Sequence, residues 1–351
     1  MSRFMHIIRA DGNTAIGMGH VMRCLSIADA MKERNIEPIF MTADNDCVSM
    51  IEDRGFKVYI LGTDYRNMES ELPLIRKYLE SQNKGDKEIP VILVDSYQVT
   101  SKYYEELRKL AKVACLEDMG YSYPVDLLIN YNIYGPTLVY DNKITHNILL
   151  GTRYQPLRKE FQQDIQYNIK DKITDVMITT GGSDPYFSAR AFTDAFLSEK
   201  ELEKTQIRFH IISGPFNTHG EELHKLYDEN PWVEIHEHVT CMKEIMRRCD
   251  VVLSATGSTI YEVSALGVPL IAFYFAENQR QGADMLSEII HVINCGNYAD
   301  DTAQTVENAV NALLKCVKNK EYRETLYHEE RNLVDGQGAA RIAQALINLT
   351  K

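Results

Sequence analysis

Short apolar runs alternate with longer stretches whose apolar residues recur every three or four positions, from one end of the 351-residue chain to the other. Such an alternation predicts parallel sheets covered by helices. In the first half, strands are expected over residues 5–9, 37–42, 57–61, 90–94, 112–116, 126–130 and 147–150, with helical spacing over 22–34 and 101–110. The second half repeats the pattern, with strands near 175–179, 207–213, 233–236, 250–253, 270–275 and 291–293, and an apolar-faced helix over 339–349. The segment around Pro156 and the polar stretch 162–172 mark a boundary. The organisation expected is a domain over 1–161, a second over 162–335, and a closing segment 336–351 that packs back on the first. The fold class is α/β, with two doubly wound Rossmann-like domains facing a cleft and ligand at the carboxyl ends of the strands.

Length supports this division, because a chain of 351 residues is long for one hydrophobic core. A net charge of −12 argues against a binder of nucleic-acid backbone. No apolar run approaches bilayer length, and Arg9 and Asp11 interrupt the first strand before it resembles a signal-peptide core, so a cytoplasmic protein without membrane association is expected. The seven cysteines form no C-x-x-C pair and read as reduced, mostly structural thiols. His236 and His238 alternate onto one face of a strand with no third ligand evident in the sequence, and read as solvated or hydrogen-bonded; no metal is expected.

Chemistry gathers where strands end. The stretch from Asp11 to Cys24 places Gly17, Gly19 and His20 where a turn becomes a helix. The first N–H groups of a helix carry partial positive charge, which suits an oxyanion and favours a neutral imidazole able to act as a base. The same residues fit a plain turn with His20 as a helix cap. A dinucleotide fingerprint lacks its third glycine near Met22 or Arg23, although Asp44 lies where a ribose-binding acid would. A second signal runs from Cys249 to Glu262, a buried strand followed by Gly257, Ser258 and Thr259. These suit a diphosphate, and Thr259-x-x-Glu262 equally spells a capping box. Gly181-Gly182-Ser183-Asp184-Pro185, Asn278-Gln279, Asp95-Ser96-Tyr97 and Glu117-Asp118 each follow an expected strand, and each also fits an ordinary turn or cap.

Taken in order, these blocks resemble the UDP-sugar hydrolases of pseudaminic acid biosynthesis, which are related to the two-domain transferases that attach N-acetylglucosamine to lipid-linked muramyl peptide. The most specific block is Arg9-Ala10-Asp11 through Gly17-Met18-Gly19-His20 and Arg23, supported by Gly151-Thr152-Arg153-Tyr154 with Leu157-Arg158, Gly181-Gly182-x-Asp184-Pro185 and Gly257-Ser258-Thr259-x-x-Glu262. The resemblance implies hydrolysis of UDP-2,4-diacetamido-2,4,6-trideoxy-β-L-altropyranose to free sugar and UDP, with inversion and with no metal or cofactor. It implies His20 as the base that activates water. The substrate side would comprise Asp11, Gly17, Gly19, Arg23, Asp95, Tyr97, Asp118, Gly181, Gly182, Asp184, Asn278 and Gln279. UDP would meet Val239, Met242, Gly257, Ser258, Thr259 and Glu262, with Glu262 on the ribose and the backbone near Val239 on uracil. One departure is Glu117, where the family often has aspartate. An inverting UDP-sugar transferase and a nucleotide-sugar binding module without turnover are the competing readings.

Overall fold

The computed structural model describes residues 5–13, 15–82, 89–162 and 167–350. The chain forms two compact units, residues 1–159 with 336–351, and residues 160–335.

The first unit holds seven strands: β1 His6–Ala10, β2 Ile39–Thr42, β3 Lys57–Ile60, β4 Val91–Asp95, β5 Lys112–Leu116, β6 Leu127–Asn130 and β7 Ile148–Leu150. Their order is β3-β2-β1-β4-β5-β6-β7, and every pair is parallel. Ile8, Ala10, Leu93 and Ala114 pack one face against the helix Gly19–Lys32 and the closing helix Gly338–Asn348. Ile7, Ile92, Val94, Val113 and Cys115 pack the other against Tyr103, Tyr104 and Leu107. Burial on both faces is why these strands read as unbroken apolar runs. Each large aliphatic side chain so buried contributes about 1.5–3 kcal/mol. The closing helix approaches very closely: a Cβ at Gly338 would lie 2.1 Å from the Gln155 carbonyl oxygen.

The second unit holds β8 Asp175–Thr179, β9 Arg208–Ser213, β10 Val233–Glu237, β11 Val251–Ala255, β12 Leu270–Tyr274 and β13 Ile293–Asn297, all parallel in the order β10-β9-β8-β11-β12-β13. In each sheet the chain works outward to one edge and then returns to the other side of the first strand. The reversal falls between β1 and β4 in the first unit, and between β8 and β11 in the second. At such a point the loops leaving the carboxyl ends diverge and open a crevice.

Several local expectations are corrected. The helix expected over 22–34 begins at Gly19 with Met18 at its cap, so His20 is inside the first turn and does not cap it. The cap of the helix Thr259–Leu266 is Ser258, so Thr259 is already helical and the Thr259–Glu262 capping box does not form. Asn278 and Gln279 lie in the first turn of the helix Glu277–Ile289. The strand expected over 291–293 runs over Ile293–Asn297. Among the described residues no helix is long and apolar enough to cross a membrane.

Candidate active site

The reversal point of the first sheet gathers the polar residues of that unit. Ala10 and Asp95 are register partners on β1 and β4, so the turn after β1 and the end of β4 open side by side. Asn13 shapes the turn: its Oδ1 accepts from the N–H groups of Ala15 and Ile16, and its carbonyl accepts from Gly17. Gly17 has φ +73°, which only glycine adopts without cost. Gly19 has no such constraint, and a Cβ there would touch no protein atom within 4 Å. The space beside Gly19 is therefore open among the described residues.

His20 is buried, with Nδ1 2.7 Å from Oδ1 of Asp95. Arg23 Nη2 lies 3.0 Å from the same nitrogen, but Asp95 is nearer and an ionised carboxylate only accepts, so in the neutral ring Nδ1 donates to Asp95 and Nε2 keeps the lone pair. Arg23, one turn further along, donates from Nε to Asp95 Oδ2 at 2.5 Å and from Nη2 to Oδ1 at 2.5 Å. Burial alone would raise the Asp95 carboxyl, but the Arg23 guanidinium and His20 outweigh it and hold the group well below the usual carboxylate range. The imidazole is thus fixed in one orientation and one tautomer.

Around this pair, Tyr97 meets the His20 ring edge-on at 4.7 Å and donates to Asp118 Oδ2 at 2.8 Å. Arg23 also donates to Tyr131 and lies 3.5 Å from Asp118. The other oxygen of Asp118 is buried without a hydrogen-bond partner, which leaves an acceptor for a ligand hydroxyl or amide. Between His20, Asp95, Tyr97, Asp11, Ile16 and Tyr65 lies a recess of about 20 Å³, the size of one water molecule.

Two carboxylates of this neighbourhood have other tasks. Asp11 accepts from Arg9 at 2.6 Å and from the Ala43 N–H at 2.7 Å, and Arg9 is paired again with Glu71 at 2.7 Å. Asp11 therefore anchors the turn that carries His20. Glu117 accepts from the N–H groups of Met119 and Tyr121 and from the Tyr140 hydroxyl, so it shapes the loop on which Asp118 sits. Cys24 donates weakly to Asp95 at 3.6 Å. All seven cysteines are free thiols, and burial pushes those of Cys295 and Cys316 up to about 12.

In the second unit, the loops after β8 and β11 leave the reversal point together. Gly181 has φ +88°. Asp184, also buried, accepts from the Ser188 N–H and hydroxyl and from the Ala189 N–H, so it caps the following helix. Gly257 and Ser258 are exposed, Thr259 is half-buried, and the Ser258 side chain makes no capping bond. Gln279 accepts from the Phe275 N–H with its side chain and from the Thr256 hydroxyl with its carbonyl, tying the loop after β12 to the loop after β11. Asn278 beside it is exposed, and Glu262 is buried one turn into its helix. Val239 follows β10, and Met242 begins the helix Met242–Arg248. Sequence reasoning missed Gly214, where a Cβ would lie 2.3 Å from the Gly181 carbonyl; only glycine lets the loop after β9 support the glycine turn.

Residues 176–346 match the family profile described as the glycosyltransferase family 28 C-terminal domain. The chain is 24% identical over 361 aligned positions to the spore coat polysaccharide biosynthesis protein SpsG of Bacillus subtilis, covering 98% of each. It is 23% identical to the UDP-2,4-diacetamido-2,4,6-trideoxy-β-L-altropyranose hydrolase of Campylobacter jejuni, over 80% of this chain and 96% of that protein. The chain is a distant relative of both proteins. An uncharacterized protein of Methanocaldococcus jannaschii is 27% identical over 79% of this chain, and the match spans 57% of that protein's length. Among solved structures, MurG of Acinetobacter baumannii superposes with a TM-score of 0.67 at 14% identity, over 98% of this chain and 99% of that one. The fold is that of the GT-B glycosyltransferases, two Rossmann-like α/β domains.

Proposed function

We propose that the chain hydrolyses a UDP-linked 2,4-diacetamido-2,4,6-trideoxy sugar of the β-L-altropyranose type to the free sugar and UDP. The observation that carries this reading is the His20–Asp95–Arg23 arrangement with a recess for one water beside it. In the reaction, the water oxygen bonds to the anomeric carbon as the bond from that carbon to the β-phosphate oxygen breaks. The electron pair leaves with UDP, and the water proton passes to Nε2 of His20. Asp95 stabilises the resulting imidazolium. UDP is a good leaving group when donors meet its charge, so a second acid of the glycosidase kind is unnecessary. Ser258, Thr259 and the backbone after Gly257 serve as those donors, and Glu262 holds the ribose. Attack by water opposite the leaving group inverts the anomeric centre.

A transferase reading draws support from the family 28 profile and the fold. Incubating the chain with the UDP-sugar alone decides between the two readings: UDP release without any acceptor is expected. Release that requires an added acceptor would overturn the hydrolase reading.

A further inference from the structure

In the second unit, β9 and β10 bring together three potential metal ligands. In register, Glu234 of β10 pairs with His210 of β9, and parallel neighbours in register share a face; His236, two residues on, returns to it. His210 Nδ1 lies 3.0 Å from His236 Nε2 and 3.5 Å from Glu234 Oε2, and His236 Nε2 lies 3.7 Å from Glu234 Oε1. We propose that His210, His236 and Glu234 bind one divalent transition-metal ion of the zinc class.

Ligand atoms about 2.0–2.2 Å from a tetrahedral zinc ion lie roughly 3.3–3.5 Å from one another. The three atoms seen here need to shift by only a few tenths of an ångström. Behind them, the Nε2–H of His210 donates to Asp175 Oδ1 at 3.0 Å, and Thr174 donates to the other Asp175 oxygen at 2.7 Å. This carboxylate leaves the lone pair of His210 on Nδ1, facing the other two ligands. A carboxylate behind a histidine is the usual support of a metal-bound imidazole. His210 is wholly buried, His236 is mostly buried and Glu234 is 43% exposed, so an ion enters from the Glu234 side and keeps a water in its fourth position. Arg248 approaches Glu234 only to 3.9 Å, and Lys170, which lies 4.0 Å from Asp175, is held 2.8 Å from Asp250, so neither cation pairs closely with the site.

Without the ion, His236 Nε2–H donates to His210 Nδ1. With it, the His236 proton moves to Nδ1 and both facing nitrogens bind metal, so the histidine pair releases no proton. The ion would cross-link the edge strand β10 to β9, and the segment leaving β10 carries Val239 and Met242.

The test uses the untagged full-length chain, stripped with chelator and titrated with Co²⁺ alone and then Zn²⁺. One equivalent of Co²⁺ with intense tetrahedral visible absorption, displaced by Zn²⁺ and accompanied by a higher thermal midpoint, is expected. His236→Gln should abolish the band, and Asp175→Asn should weaken binding ~10–100-fold. Thermal melts of each variant without metal verify folding. Absence of stoichiometric binding by the unsubstituted chain would overturn the proposal, whatever the variants do. So would a sulfur-to-cobalt charge-transfer band, or a folded His236→Gln variant that binds as tightly as the parent.

Discussion

An Asp95→Asn exchange removes the charge on which His20, Arg23 and Cys24 converge. The asparagine has one acceptor oxygen for the several donors that the carboxylate serves, so its amide must face either Arg23 or His20. Facing His20, it donates to Nδ1, moves the ring proton to Nε2 and removes the base. The same change of tautomer in a serine-protease triad lowers kcat by ~10⁴-fold, and a loss on that order is expected here. In either orientation the guanidinium, only 16% exposed, keeps just the more distant Asp118 at 3.5 Å as an anion, at a cost of up to about 3–5 kcal/mol. The stability loss should depend on pH. Because the folded Asp95 titrates below the unfolded value of about 3.9, its contribution is fully present above that pH and fades as the pH falls toward the folded value. UDP release, thermal melts from neutral pH down to about 3, and UDP titration measure the three consequences. Turnover within about threefold of the parent would refute the oriented-base argument. If the variant folds poorly, His20→Asn, which leaves the Asp95–Arg23 pair in place, still tests the base.

His20→Ala should lose nearly all turnover while UDP affinity, measured by calorimetry, stays close to the parent value; a parallel fall in affinity would place His20 in nucleotide binding. Glu262→Gln should weaken UDP binding by about 1.5–3 kcal/mol if a charged hydrogen bond to ribose is lost, with a smaller change in the thermal midpoint. Gly338→Ala should cost at least about 1–3 kcal/mol in chemical denaturation, because its Cβ would collide with the Gln155 carbonyl. Chelator dialysis should leave turnover intact, and activity restored by added Mg²⁺ or Mn²⁺ would contradict a metal-free reaction.

The strands were legible because burial on both faces writes them as apolar runs, and the structure moves mainly their ends. The start of the first helix was not, because Gly19 and His20 are weak helix formers that the turn geometry nevertheless draws into the first turn. Carboxylates at strand ends were the hardest to read. Asp184 as a helix cap, Glu117 as a loop anchor and Asp95 as the partner of His20 occupy equivalent places in the sequence, and only three-dimensional partners separate them. Arg23 and Asp95 are 72 positions apart, and nothing local announces their pairing. His236 carried a visible signal in its alternation, but His210 and Glu234 became its neighbours only through the register of β9 with β10, which the sequence does not state.

The most direct measurement of the central claim is real-time proton NMR of the purified chain with UDP-2,4-diacetamido-2,4,6-trideoxy-β-L-altropyranose and no acceptor. The account predicts free sugar and UDP in equal amounts, with the first-formed anomer inverted relative to the substrate and no product from the His20→Asn variant. An unchanged donor, a first-formed anomer of retained configuration, or undiminished product from His20→Asn would contradict it.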